Sequence, residues 1–75
     1  MRIINLVDGI DINYEHFSLI TRTTPEELFE IVVYSNFNSN IATLCTVEKY
    51  EEAETILKNI ALAYGNGVKA YYIKS

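Results

Sequence analysis

The stretch VDGIDINYEHF, Val7 to Phe17, gathers Asp8, Asp11, Asn13, Glu15 and the single histidine of the chain, His16. Carboxylates and an amide at short spacing are the oxygen donors a hard cation takes, and a carboxylate beside an imidazole is a pair that moves protons. The spacing fits neither chemistry. A calcium loop of the EF-hand kind needs ligands at alternating positions, a central glycine and a distal glutamate, whereas Gly9 directly follows the first aspartate. His16 adjoins Glu15 but has no nucleophile or second acid beside it in sequence, so it is expected as a solvated turn residue. Cys45, the only cysteine, lies in the apolar run IATLCTV and is expected as a small core residue. Gly65-Asn66-Gly67 follows a helical segment, while a phosphate cradle would precede one. No catalytic residue, metal ligand or cofactor is therefore expected, and the chain is not expected to be an enzyme.

The elements around these residues explain their types. RIIN reads as a strand and Asp8-Gly9 as a tight hairpin turn, with Asp8 bonding nearby backbone. In IDINY, period two sends Ile10, Ile12 and Tyr14 to the core and Asp11 and Asn13 to solvent, which disperses the polar cluster. FSLITR is a third strand. Thr24, Pro25 and Glu27 match a helix start, yet the β-branched run Ile31 to Val33 follows at once. A loop from Thr23 to Glu27, with room for one helical turn, is expected before a fourth strand from Leu28 to Tyr34. SNFNSN makes the next bend, with Phe37 at its tip, and IATLCTV is a fifth strand.

From Tyr50 to Tyr64 the period changes to that of a helix. Ala53, Ile56, Leu57, Ile60 and Tyr64 form the apolar stripe, opposite Glu51, Glu52, Thr55, Lys58 and Asn59. Glu48, Glu51, Glu52 and Glu54 crowd the helix start, where they favour the positive end of its dipole, and the glycines of GNG stop it. VKAYYI returns as the last strand. The expected fold is α+β: a small, mostly antiparallel sheet in the order of four or five strands, helix, strand, with one amphipathic helix packed on it.

Seventy-five residues make a single α+β domain, residues 1–75. A chain this short buries only about 60 % of the surface its unfolded form exposes, so a partner or second copy would help it, and a homo-oligomer is expected. A net charge of -4, with the basic residues scattered from Arg2 to Lys74, argues against direct nucleic-acid binding. No apolar run approaches a signal peptide or membrane span, so the expected location is cytoplasmic, away from membranes.

Binding candidates come from what the core leaves over. Leu62 lies about 180° from Ala53 around the helix, on the wet face. Of the six tyrosines, Tyr14, Tyr50 and Tyr64 fall on core stripes, leaving Tyr34, Tyr71 and Tyr72 freer. The glutamates of the helix start could stand in for phosphates toward a basic partner. The candidate partner-binding set is Glu48, Glu51, Glu52, Glu54, Leu62, Phe37, Tyr71 and Tyr72.

MRIIN followed by IDINYE, the strand IATLCT, the helix YEEAETILKNIALAYGNG and the closing KAYYI resemble a family of small uncharacterised proteins encoded by phages and prophages of Gram-positive bacteria. The resemblance covers most of the chain through Arg2 to Ile4, Ile10 to Tyr14, Glu51 to Ala53, Ala63 to Gly67 and Tyr71 to Ile73. These motifs are structural, so no active-site residue carries over. Lys49 replaces the serine-type helix cap usual in those proteins, and Leu62 replaces a polar residue. The resemblance implies a phage or prophage accessory protein in a bacterial host cell. With the acidic charge, the leading expectation is a non-enzymatic inhibitor that binds a host or phage protein and blocks a host defence system such as a CRISPR effector. One alternative is an oligomeric sponge that sequesters a nucleotide immune signal, for which Arg22, Tyr71 and Tyr72 are candidates; another is a small oligomeric assembly module without ligand.

Overall fold

The computed structural model describes residues 1–35 and 40–73. Asp8-Gly9 turns the chain as expected: Gly9 has a φ of 69°, a left-handed conformation that glycine adopts without steric cost. It joins β1 (Arg2–Asn5) to β2 (Ile10–Asn13), which pair antiparallel with Ile3 opposite Ile12. Tyr14 leaves the strand for a single 3-10 turn, Tyr14–His16, whose first N–H groups find a cap in Asn13: its side-chain oxygen accepts from the Glu15 N–H.

β3 (Phe17–Thr23) and β4 (Phe29–Ser35) form a second hairpin. The helix-like signal at Thr24 resolves here. The Thr24 carbonyl accepts from Glu27 N–H at 3.0 Å and its hydroxyl accepts from Leu28 N–H at 3.1 Å, while Glu27 takes a φ of 64°. Pro25 enters the turn, the left-handed Glu27 reverses it, and the β-branched run of β4 is delivered back onto β3. No helical turn is built there.

β5 (Asn40–Val47) pairs with β4, and the register slips twice, between Ile31 and Val32 and between Val33 and Tyr34. The first slip passes from Ile31↔Cys45 to Val32↔Thr43 and leaves Leu44 without a partner residue, as in a β-bulge. Leu44 and Cys45 both turn inward as a result.

α1 (Tyr50–Gly65) follows. Ala53 and Ile60 are buried and Ile56 and Leu57 half-buried on the expected stripe. The helix closes on a Schellman motif: Val68 N–H donates to the Ala63 carbonyl at 3.0 Å and Gly67 N–H to the Tyr64 carbonyl at 3.1 Å, with Gly67 at a φ of 75°. β6 (Ala70–Tyr72) then runs parallel to β1.

The fold class and element order are those the sequence predicts, but the strands divide between two three-stranded sheets, β2-β1-β6 and β3-β4-β5. The core lies between them and α1. Ile3 enters from the first sheet, Ile73 from just past its strand β6, Ile31, Val33, Leu44 and Cys45 from the second sheet, and Ala53 and Ile60 from the helix. Each fully buried aliphatic side chain of this set contributes roughly 1.5 to 3 kcal/mol relative to exposure.

Candidate functional site

The polar stretch that opens the chemical question is taken apart by the fold. Asp8 sits in the first turn and accepts from the Asn5 amide at 3.0 Å. Asp11 lies on the solvent face of β2 and holds Arg2, whose Nε donates to it at 3.1 Å. That hydrogen bond lowers the Asp11 carboxyl below its ordinary value and raises the guanidinium. Glu15 pairs with the α-amine of Met1, and His16 is exposed at the end of the 3-10 turn. Among the described residues no three His, Cys, Asp or Glu side chains come together as a metal set. Cys45 is buried, and desolvation pushes its thiol up, away from the thiolate a nucleophile needs.

Glu48, Glu51, Glu52 and Glu54 are exposed at the start of α1. Lys49, at the N-cap, makes no side-chain cap, so the first turn is held by backbone bonds to the Lys49 carbonyl. Tyr50 leans outward, its ring edge-on to Phe29 at 5.7 Å, and is more exposed than its place on the stripe predicts. A hydrogen bond with Glu54 raises its phenol. None of the four glutamates is in an ion pair among the described residues.

The other candidates scatter. Leu62 is 64 % exposed, near the far end of α1. Tyr71 packs against the core on the inner side of the first sheet, whereas Tyr72 faces outward and is 58 % exposed. Phe37 lies outside the described residues. Tyr64, also more exposed than expected, meets Tyr14 at a ring separation of 5.0 Å. Arg22 is committed to Glu30, its Nε donating to the carboxylate at 2.8 Å, which raises the guanidinium; the other Glu30 oxygen accepts from the Thr43 hydroxyl at 3.3 Å.

Two of the candidate groups do converge. Ile56 of α1 borders Tyr71, Tyr72 and Ile73 around one hollow, and the same Ile56 borders Glu51, Glu52 and Thr55 around the next. The acidic helix start and the last strand thus line one surface. Sequence reasoning missed Leu6 and Val7, which are 78 % and 76 % exposed in the first turn. Their place directly before Asp8-Gly9 was the available signal, since a turn lifts its residues away from either sheet face.

No family model matches this chain, and neither does any curated protein or solved structure. No helix of the described residues is long and apolar enough to cross a membrane.

Proposed function

We propose that this chain is a non-catalytic phage or prophage accessory protein that acts by binding, as an inhibitor of a bacterial host defence system such as a CRISPR effector. The observation that supports this reading is the row of exposed glutamates, Glu48, Glu51, Glu52 and Glu54, free of ion pairs among the described residues at the start of α1. Such a row presents negative charge where the phosphates of a nucleic acid would lie in a basic channel, and charge of this kind speeds capture of a complementary surface. Three of the groups that could do chemistry are engaged elsewhere: Asp11 with Arg2, Glu15 with the Met1 amine, and Cys45 in the core. Arg22, a candidate for holding a nucleotide signal, is taken by Glu30, which favours capture of a protein over a nucleotide sponge.

The test is phage plating on a Gram-positive host with an active defence system, with and without this protein expressed. Restored plating is the expected result, and unchanged plating rejects inhibition. Replacing Glu48, Glu51, Glu52 and Glu54 together by Gln should leave the melting temperature close to that of the parent, because all four are solvent-facing. The variant should restore plating less and lose the salt dependence of capture. Equal restoration would reject the charge mechanism.

A further inference from the structure

The last strand leaves hydrogen-bonding capacity unused. The Lys69 carbonyl accepts from Arg2 N–H at 2.9 Å and Ile73 N–H donates to the Ile4 carbonyl at 2.8 Å, so Lys69 and Ile73 face β1. Alternation along the strand turns the N–H and C=O of Ala70 and Tyr72 the other way. Among the described residues β6 has no neighbouring strand on that side, and no backbone group pairs with them. The open edge borders α1 through the hollow of about 270 Å³ lined by Ile56, Tyr71, Tyr72 and Ile73. Beyond Ile56 the wall becomes acidic, with Glu51 and Glu52. A free strand edge, an apolar floor and a negatively charged helical wall lie side by side.

We propose that this groove binds an extended, lysine- or arginine-bearing segment of a protein partner, which joins the first sheet as a further strand beside β6. The backbone of Ala70 and Tyr72 would hold the segment, and alternate side chains would meet Ile56 and the carboxylates of Glu51 and Glu52. Charge decides the occupant. A second copy of the chain, the homo-oligomer partner expected from the sequence, carries the same net charge of -4 and would bring its own glutamates toward these. A nucleic acid would meet the same repulsion. The inference rests on the binding reading above and names where the partner is held.

The probe is a short, end-capped peptide alternating lysine and valine, with a glutamate–valine peptide as control. Binding is read by fluorescence anisotropy at two salt concentrations, and occupancy by amide hydrogen exchange. The lysine peptide should bind, more weakly at higher salt, and slow exchange at Ala70 and Tyr72; the glutamate peptide should do neither. Ala70→Pro removes an N–H that β1 does not use, so it should lower affinity about tenfold or more with the melting temperature nearly kept. Glu51→Gln with Glu52→Gln should weaken binding and flatten its salt dependence. Unslowed exchange at Ala70 and Tyr72 with the lysine peptide overturns the groove, whatever Ala70→Pro does to the fold. Equal binding of the glutamate peptide overturns it too, as does a dimer in which those two amides are already protected. Restored plating without peptide protection would remove the groove and leave the inhibitor reading; protection without restored plating would do the reverse.

Discussion

The side chain of Asn5 ties the two sheets together: its Nδ2 donates to the carbonyl of Leu44 at 2.8 Å. Asn5 ends β1 and Leu44 is the residue that the register slip in β5 leaves unpaired. A bulge frees a backbone carbonyl at a fully buried residue, and a fully buried amide from the other sheet satisfies it. The same side chain accepts from Val7 N–H at 3.1 Å and Asp8 N–H at 3.3 Å, so it also shapes the first turn.

Asn5→Ala should therefore cost more than its size implies. Leaving the Leu44 carbonyl unsatisfied costs about 1 to 3 kcal/mol, and the turn amides add to that. Asn5→Asp keeps the acceptor for the turn but sets a carboxylate against the Leu44 carbonyl and Asp8, and should be worse still at neutral pH. Urea denaturation measures both, and an unchanged midpoint for Asn5→Ala would show that the bond does not hold the sheets.

The Arg2–Asp11 pair predicts a pH dependence with a defined sign. The guanidinium hydrogen bond holds the Asp11 carboxyl below its ordinary 3.8, helped by the charge of Arg2 and opposed by partial desolvation. The folded chain binds that proton less readily than the unfolded one. The contribution of the pair is thus fully present above 3.8 and lost as pH falls through the lower folded value. Both side chains are largely exposed, so the effect is small. Asp11→Asn should melt slightly below the parent near neutral pH and converge with it in strong acid. A gap that persists in acid would assign the loss to another cause.

Two glycines at the helix end should respond with opposite signs. Gly65 lies within α1 with open space where a Cβ would be, so Gly65→Ala should stabilise by about 0.4 to 1 kcal/mol. Gly67 also has open space, but its φ of 75° makes Gly67→Ala cost about 1 kcal/mol by strain alone. Thermal melts of the two variants check this, and equal shifts would contradict the Schellman closure.

Ile60 is fully buried and Leu57 half-buried on the same stripe of α1. Ile60→Ala should cost about 2 to 5 kcal/mol, most of the stability of a domain this small, and Leu57→Ala clearly less. The ranking is read from denaturation midpoints. A larger loss at Leu57 would mean that the helix is rotated from the position described.

The parts of the fold that were legible are those governed by near neighbours. Period two placed Ile10 and Ile12 inward and Asp11 outward, and the helical period placed Ala53 and Ile60, because burial acts on each element's own faces. Tyr71 shows the limit: a period gives a face but not which face is covered, and this tyrosine turned inward while Tyr72 stayed out. The division into two sheets depends on which distant strands pair, and nothing in VKAYYI names β1 as its neighbour. At Thr24 the local signal pointed to a helix, and pairing of β4 with β3 overrode it. Of the binding surface, the acidic row was visible because charge at a helix start needs no tertiary information. The neighbouring hollow at β6, joined to it through Ile56, was not, since it exists only once α1 and the last strand lie together.

The parallel pairing of β1 with β6 has a consequence for how the chain is expected to fold. Arg2 and Ala70 are partners across nearly the whole chain, so the middle strand of the first sheet has one neighbour early and waits for the other until the last element has been synthesised. Closing so long a loop is slow, and the nascent chain carries β1 with one side bare until Ala70 to Tyr72 have been made. The β3-β4-β5 meander, built from consecutive hairpins, can assemble first and template the rest. Ribosome-attached chains truncated before Ala70 would then hold a formed meander beside an incomplete first sheet.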